Sequence, residues 1–403
     1  MRFICYICGE VSAARSASAG VRLLSVAIMM ESLLKLSDRF GGADFALRMS
    51  VWRMRLLAAV PAGRYILRRL YSVPAAKLER EVFGMKFSSP VGIAAGYDRD
   101  GALIDALDAA GFGFVEVGSV TPRPQGGSPH PYLFRLAGDR ALLCRAAIES
   151  AGVDRVIGNL KRRRGSAVVG CNLAKNASTP PDEAPADYLR SFRALYQYAD
   201  YFTVNLCDNF TSEQYVPADR ERIMAIVEPL FEFRRGQNRY CPILLKISPD
   251  LTDEQIDTAI DIMIDTPVDG MVACGGTTGR YGLENSLSVM HSLGRTAGAL
   301  CGRPLRERAL QIVRRIHDRS HGAYPIIGCG GISTPDDALA MLEAGATLVQ
   351  MCTEFIYGGG KSLRDMRAGL NERIRKMEMR RAAERTQPTE TAAPENDSNE
   401  TER

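Results

Sequence analysis

From Pro90 onward, eight short apolar runs recur about every 25 to 40 residues, each followed by an amphipathic stretch, and this repeat leaves few folds open. The runs are VGIAAG from Val91, FVEVGS from Phe114, AVVGCNL from Ala167 and YFTVNL from Tyr201. They continue with PILLKIS from Pro242, DGMVAC from Asp269, PIIGCG from Pro325 and TLVQMC from Thr347. Their near-continuous apolarity, rather than alternation, implies strands buried on both faces, as in a parallel sheet covered by helices. Eight such units predict a (β/α)8 TIM barrel, which occupies about 250 residues as one domain. The intervening helices are legible too. After the fifth strand, Ile256, Ile260, Met263 and Ile264 mark one helical face. After the seventh, Thr334 followed by Pro335, Asp336 and Asp337 supplies an N-cap, a first-turn proline and acids at the positive end of the dipole.

The flanks differ from the barrel. Phe45 to Lys77 carries Arg48, Arg53, Arg55, Arg64, Arg68, Arg69 and Lys77 with no acid, interleaved with apolar residues that include Leu47, Trp52, Leu56 and Leu67. This pattern predicts one or two basic amphipathic helices, which lie either on anionic lipid or as a cap on the barrel. Residues 376–403 have almost no large apolar side chains and are expected to form a disordered tail. The expected organisation is therefore an uncertain extension over 1–29, a helical segment over 30–78, the barrel over 79–375 and the tail. The apolar stretch from Val21 to Met30 is shorter than the ~20 residues that span a bilayer.

Composition narrows the function. A net charge of +4 over 403 residues, evenly spread, does not mark a nucleic-acid surface. Ten scattered cysteines in an α/β chain point to free thiols in a reducing cytoplasm, and the Cys5–Cys8 pair stands without a second pair nearby. In such barrels the active site lies at the C-terminal strand ends, where this chain has Ala95, Gly96 and Arg99, then Ser119, Asn172 with Lys175 beyond, Asn205 and Lys246. A hydroxyl, two amides and an ammonium converging there suit a flat heterocycle. A buried Lys246 needs either an anionic ligand or a structural ion pair. Gly330 and Gly331 after the seventh run and Thr353 after the eighth form the corner where such barrels commonly hold a phosphate. Cys171, Cys207, Cys274, Cys329 and Cys352 also fall near strand ends, either as small buried residues or as a thiol-lined or metal site.

With these residues in hand, the chain resembles the quinone-linked (class 2) dihydroorotate dehydrogenases over roughly Met30 to Leu370. The resemblance rests on SPVGIAAGYDRDG, GFGFVEVGSVTPRPQ, PYLFRL, LAKNAST, PILLKISPDL, GALCGRPL, PIIGCGGI and LVQMCTEFI. It implies an FMN flavoprotein of pyrimidine biosynthesis that passes electrons to a membrane quinone, peripheral at the inner, cytoplasmic face. FMN would contact Ala95, Gly96, Ser119, Asn172, Asn205, Lys246, Gly302, Gly330, Gly331 and Thr353, with Arg99 standing where the family has lysine. It also implies that the basic Phe45 to Lys77 stretch is the membrane- and quinone-binding segment.

The substrate half departs from that pattern. The family's orotate-clamping segment is CRAAIES here, with Cys144 in place of an amide and Ile148 in place of an aromatic, and Gly275 replaces a further asparagine. The catalytic loop reads Asn205-Leu206-Cys207-Asp208-Asn209-Phe210. Aligned without a gap, the base is Asp208; with one residue deleted, it is Cys207. The leading expectation is a dihydroorotate dehydrogenase-like flavin oxidoreductase acting on a small molecule. The alternatives are an FMN paralogue with another substrate, or a catalytically silent binding or regulatory protein.

Overall fold

The computed structural model describes residues 42–386 except 46, 60, 72, 74–77, 130–131, 146–147, 208–218 and 287–297. The Cys5–Cys8 pair and the expected extension over 1–29 lie outside the described residues.

All eight expected strands form, and each joins its neighbours in parallel. They are β3 (Val91–Ile93), β4 (Phe114–Val120), β7 (Val168–Leu173), β8 (Tyr201–Asn205), β9 (Ile243–Ile247), β10 (Gly270–Ala273), β12 (Ile326–Cys329) and β13 (Leu348–Met351). β13 pairs back to β3, so the sheet closes on itself and has no open edge. An antiparallel hairpin, β1 (Arg80–Val82) and β2 (Met85–Phe87), precedes it. Phe87 from this hairpin meets Phe114 edge to face at 5.5 Å, and Val82, Tyr201, Leu244, Val272, Ile327 and Leu348 join them in a separate core cluster. The rings fit because two strand positions are glycine. A Cβ at Gly92 would lie 2.4 Å from the Phe114 ring, and one at Gly170 would lie 2.1 Å from the Tyr201 ring.

Helices cover the outside, and their ends follow local chemistry. α7 (Asp253–Asp265) opens with a capping box in which Thr252 and Gln255 exchange hydrogen bonds. Along it Ile256, Ile260 and Met263 are buried, whereas Ile264, at the edge of the stripe, is 38% exposed. α9 (Pro335–Glu343) starts at the expected Thr334, whose side chain accepts from the amide of Asp337. Between them, α8 (Arg306–Arg319) locks onto α7 through Arg315–Asp257 and Arg319–Asp261 ion pairs.

One expectation needs revision. α10 (Thr353–Thr386) continues eleven residues past the expected end of the barrel at 375, over a stretch of Met, Glu, Ala and Arg that favours helix. Its Lys376 pairs with Glu372 one turn earlier. The rest of the expected tail lies outside the described residues. The basic N-terminal segment forms α1 (residues 42–59) and α2 (Pro61–Tyr71). Part of its charge is turned inward: Arg55 pairs with Asp100, Arg64 with Asp105 and Arg68 with Asp108, all on or beside α3 (Ile104–Ala110). Met54 and Leu67 are buried in the barrel's core, while Phe45, Trp52, Leu56 and Tyr65 are exposed. The segment is a barrel cap on one face and carries unburied apolar side chains on the other.

The sequence reading missed a small antiparallel sheet made of β5 (Leu133–Leu136), β6 (Ala141–Cys144) and β11 (Ala299–Gly302). It contributes Leu133, Leu142, Cys144, Cys301 and Gly302 to the wall of the cavity described next.

Candidate active site

At the C-terminal end of the barrel strands lies a cavity of about 220 Å³. Its wall includes Ala95, Gly96, Arg99, Ser119, Asn172, Asn205, Lys246, Gly302, Gly330, Gly331 and Thr353, so the structure brings together every residue expected to touch the cofactor. Cys207 lines it as well. Asp208 lies outside the described residues. Lys175 does not line the cavity: its ammonium donates to the carbonyl of Thr179 at 3.1 Å, within its own loop.

The polar residues form one connected network. Asn205 Nδ2 donates to Ser119 Oγ at 3.2 Å, and Ser119 Oγ donates to Asn172 Oδ1 at 2.5 Å. Asn172 Nδ2 in turn donates to Glu116 Oε1 at 2.9 Å. Each amide thus has a fixed orientation and still keeps spare donor or acceptor capacity. The carboxylate beneath them, Glu116, is fully buried within β4. Its Oε2 accepts from Tyr201 and Thr203 hydroxyls at 3.2 Å and from Gln350 Nε2 at 2.7 Å. Sequence reasoning missed Glu116, although an acid inside an apolar barrel strand was a visible signal.

Lys246 makes no ion pair among the described residues, so its charge is available to the cavity. Burial works against the ammonium, while the Cys329 thiol and the Glu116 carboxylate act the other way and carry its pKa above the usual lysine value. At the phosphate corner, Gly331 has φ +72, and a Cβ there would lie 2.6 Å from the backbone of Arg306. Glycine is therefore required by both conformation and space.

The part of the wall expected to face substrate includes Cys144, Ile148, Cys207 and Gly275, with Gly276 and Cys301 beside them. Cys207 is buried, and its thiol donates to the carbonyl of Lys246 at 3.2 Å. Burial pushes this thiol up to about 12, against the pull of Lys246. Cys352 is likewise raised to about 12 by burial, so these thiols are protonated near neutral pH. The eight described cysteines are all free, and no cluster of His, Cys, Asp and Glu able to hold a metal occurs among the described residues.

Arg99 also differs from a simple cofactor contact. Its Nη1 pairs with Glu149, its Nε donates to the carbonyl of Gly96 at 3.3 Å, and its guanidinium lies over the Tyr132 ring at 5.2 Å.

Comparison with known proteins fits this architecture. The profile of the dihydroorotate dehydrogenase family matches residues 77–374. The chain is 40% identical over 320 residues to dihydroorotate dehydrogenase (quinone) of Christiangramia forsetii, covering 79% of this chain and 92% of the relative. It is also 40% identical over 310 residues to the enzyme of the same name from Thermosynechococcus vestitus, covering 76% and 84%. The crystal structure of DHODH from Eimeria tenella in complex with ferulenol superposes with a TM-score of 0.73 at 28% identity, covering 83% of this chain and 92% of that one. With a closed parallel barrel, a cavity with a hydrogen-bonded polar network at its C-terminal end and a family match across the whole barrel, the chain belongs to the dihydroorotate dehydrogenase family, on its quinone-linked branch.

Proposed function

We propose that this chain is an FMN-dependent oxidoreductase that oxidises a dihydropyrimidine of the dihydroorotate type and delivers the electrons to a membrane quinone. The observation that carries this is the convergence of ten family-matched positions, from Ala95 to Thr353, together with Arg99, on one cavity wall. FMN, when bound, accepts a hydride from the substrate and passes the electrons on.

The residues present fit such a group. A Cβ at Gly96 would meet nothing within 4 Å, which leaves backbone open to the cavity. Gly330, Gly331 and Thr353, at the start of α10, would hold the phosphate with backbone amides, a hydroxyl and a helix N-terminus. Lys246 would supply positive charge, and Asn172 and Asn205 would present amides already oriented by Glu116 and Ser119. Gln350, which also lines the cavity, has a buried Oε1 without a hydrogen-bond partner among the described residues.

Proton removal falls to the loop after β8. A buried thiol held near 12 is a poor base at neutral pH, which favours Asp208 over Cys207 in that role. For the acceptor, α1 supplies Leu47 to the cavity wall while exposing Phe45, Trp52 and Leu56, a suitable approach for an apolar quinone from a lipid surface. No described helix is long and apolar enough to cross a membrane.

The direct test is cofactor content. Full-length protein purified from an FMN-producing host should carry a flavin spectrum, and Lys246→Ala should lose it. Protein that stays colourless after reconstitution with FMN would overturn the cofactor assignment.

A further inference from the structure

The corner formed by Gly330, Gly331 and Thr353 is completed by the first turn of α10, and the residue after Thr353 is an acid, Glu354. Two effects on that carboxylate oppose each other. The positive pole of the helix favours an acid in its first turn, but a phosphate at the same pole would carry about −1.5 to −2 charges and be repelled by it. Glu354 is only 7% exposed, so water screens such a repulsion poorly. Its partner is Arg140, whose Nη2 donates to Oε1 at 2.7 Å and to Oε2 at 2.6 Å. Among the described residues no other cation pairs with Glu354.

The pair stands directly behind the corner. Arg140 lies in the tight turn between β5 and β6 with φ +46, and its backbone closes on the cavity wall. A Cβ at Gly302 would lie 2.6 Å from the Arg140 carbonyl oxygen and 2.9 Å from Thr353 Cγ2. The Arg140 guanidinium lies 5.5 Å from the centre of the Tyr357 ring, and the Tyr357 hydroxyl donates to the carbonyl of Ala141 at 2.8 Å. Arg135 adds a bond from Nη2 to the carbonyl of Ile356 at 3.1 Å. The small antiparallel sheet is thus latched to the start of α10, with Arg140 held against Glu354. A cation on the other side of the corner is committed elsewhere: Arg306, whose backbone abuts Gly331, pairs with Asp337 at 3.0 Å.

We propose that Arg140 is a positioning residue for the cofactor's phosphate. Arg140 is not among the residues that line the cavity; it acts by neutralising Glu354, so that the N-terminus of α10 can receive a phosphate beside its own acid. A side chain outside the cavity thereby sets how strongly the site prefers FMN to riboflavin, which has the same ring system and no phosphate. The proposal rests on the flavin-site reading given above, because that reading puts a phosphate at this corner.

The test titrates FMN and riboflavin into full-length protein freed of flavin, for wild type, Arg140→Ala, Glu354→Gln and the double variant, with binding read from the quenching of flavin fluorescence. Arg140→Ala should lower FMN affinity about tenfold and leave riboflavin within about twofold, and added salt should narrow the FMN loss. Glu354→Gln frees Arg140 and should raise the preference for FMN above that of wild type, while the double variant should return it to within about threefold of wild type. A latch with a merely structural role would weaken both flavins together. Equal losses for the two flavins in Arg140→Ala, or a preference for FMN that Glu354→Gln leaves unchanged or lowers, would overturn the proposal. The Arg140 side chain is 46% exposed, so Glu354→Gln leaves no buried charge unpaired, and its result decides even where Arg140→Ala fails to fold. Wild type that binds neither flavin would overturn the flavin-site reading, and the proposal with it.

Discussion

Replacing Glu116 by glutamine exchanges one carboxylate oxygen for an NH2 group at the centre of the barrel, and its cost can be worked from the contacts. The carboxylate receives four donors: Asn172 on Oε1, and Tyr201, Thr203 and Gln350 on Oε2. A glutamine has one acceptor oxygen and one NH2. If the oxygen takes the Oε2 position, the new NH2 faces the Asn172 amide donor. Asn172 cannot simply flip, because its Oδ1 accepts from Ser119 at 2.5 Å. One buried donor facing a donor costs ~1–3 kcal/mol, and the surviving bonds lose their charge assistance, which adds a further ~1–2 kcal/mol. We expect Glu116→Gln to lower the stability of the FMN-free protein by about 4 kcal/mol in urea unfolding followed by circular dichroism. FMN affinity should fall alongside, since Asn172 loses its orientation and Lys246 loses a nearby carboxylate. A variant within about 1 kcal/mol of wild type would show that the network does not organise the site.

Further outcomes follow from the same structure. With the Cys207 thiol held near 12, a reaction that used it as base would speed up about tenfold per pH unit from pH 7 into the alkaline range, because only the thiolate accepts a proton. Flavin reduction that levels off well below that range, and survives Cys207→Ala, assigns the base elsewhere in the loop. Gly170→Ala places a Cβ 2.1 Å from the Tyr201 ring and should destabilise the barrel by ~1–3 kcal/mol; an unchanged urea midpoint would refute the close packing. Burial pushes Asp98 up to about 7, against the backbone amides of Leu103 and Ala102, so the folded state takes up a proton that the unfolded chain releases near ~3.9. Stability should therefore rise as pH falls from about 7 towards ~4, and Asp98→Asn should flatten that slope. Trp52, the chain's single tryptophan and 56% exposed, should shift its fluorescence to the blue on anionic vesicles at low salt and reverse with salt, whereas an unchanged spectrum would make α1 a barrel cap alone.

The barrel was legible because parallel strands buried on both faces are written as continuous apolar runs, so VVGCNL and ILLKI announce themselves without knowledge of their neighbours. The site's glycines and amides were legible for a related reason: position at a strand's C-terminal end carries functional meaning in this architecture. Very short strands carry no such signal, even when they are largely buried. β5, β6 and β11 have four residues each, and β11 is added to the β5–β6 hairpin by pairing across more than 150 positions, between Ala299 and Cys144. Long-range partners were equally hidden. The acids that receive Arg55, Arg64 and Arg68 lie about forty residues downstream, so a stripe that looks unpaired in sequence is partly neutralised in the fold. Glu116 has donors on three other strands, which only barrel closure brings together. The Arg99–Glu149 pair was hidden in the same way, since its two members are fifty positions apart.

The most direct test is anaerobic reduction of the bound flavin by dihydroorotate, followed by reoxidation with a soluble quinone. The expected result is bleaching of the flavin absorbance and its recovery on quinone addition. Flavin that stays oxidised with dihydroorotate while it is reduced by dithionite and reoxidised by quinone would contradict dihydroorotate-type chemistry in this cavity.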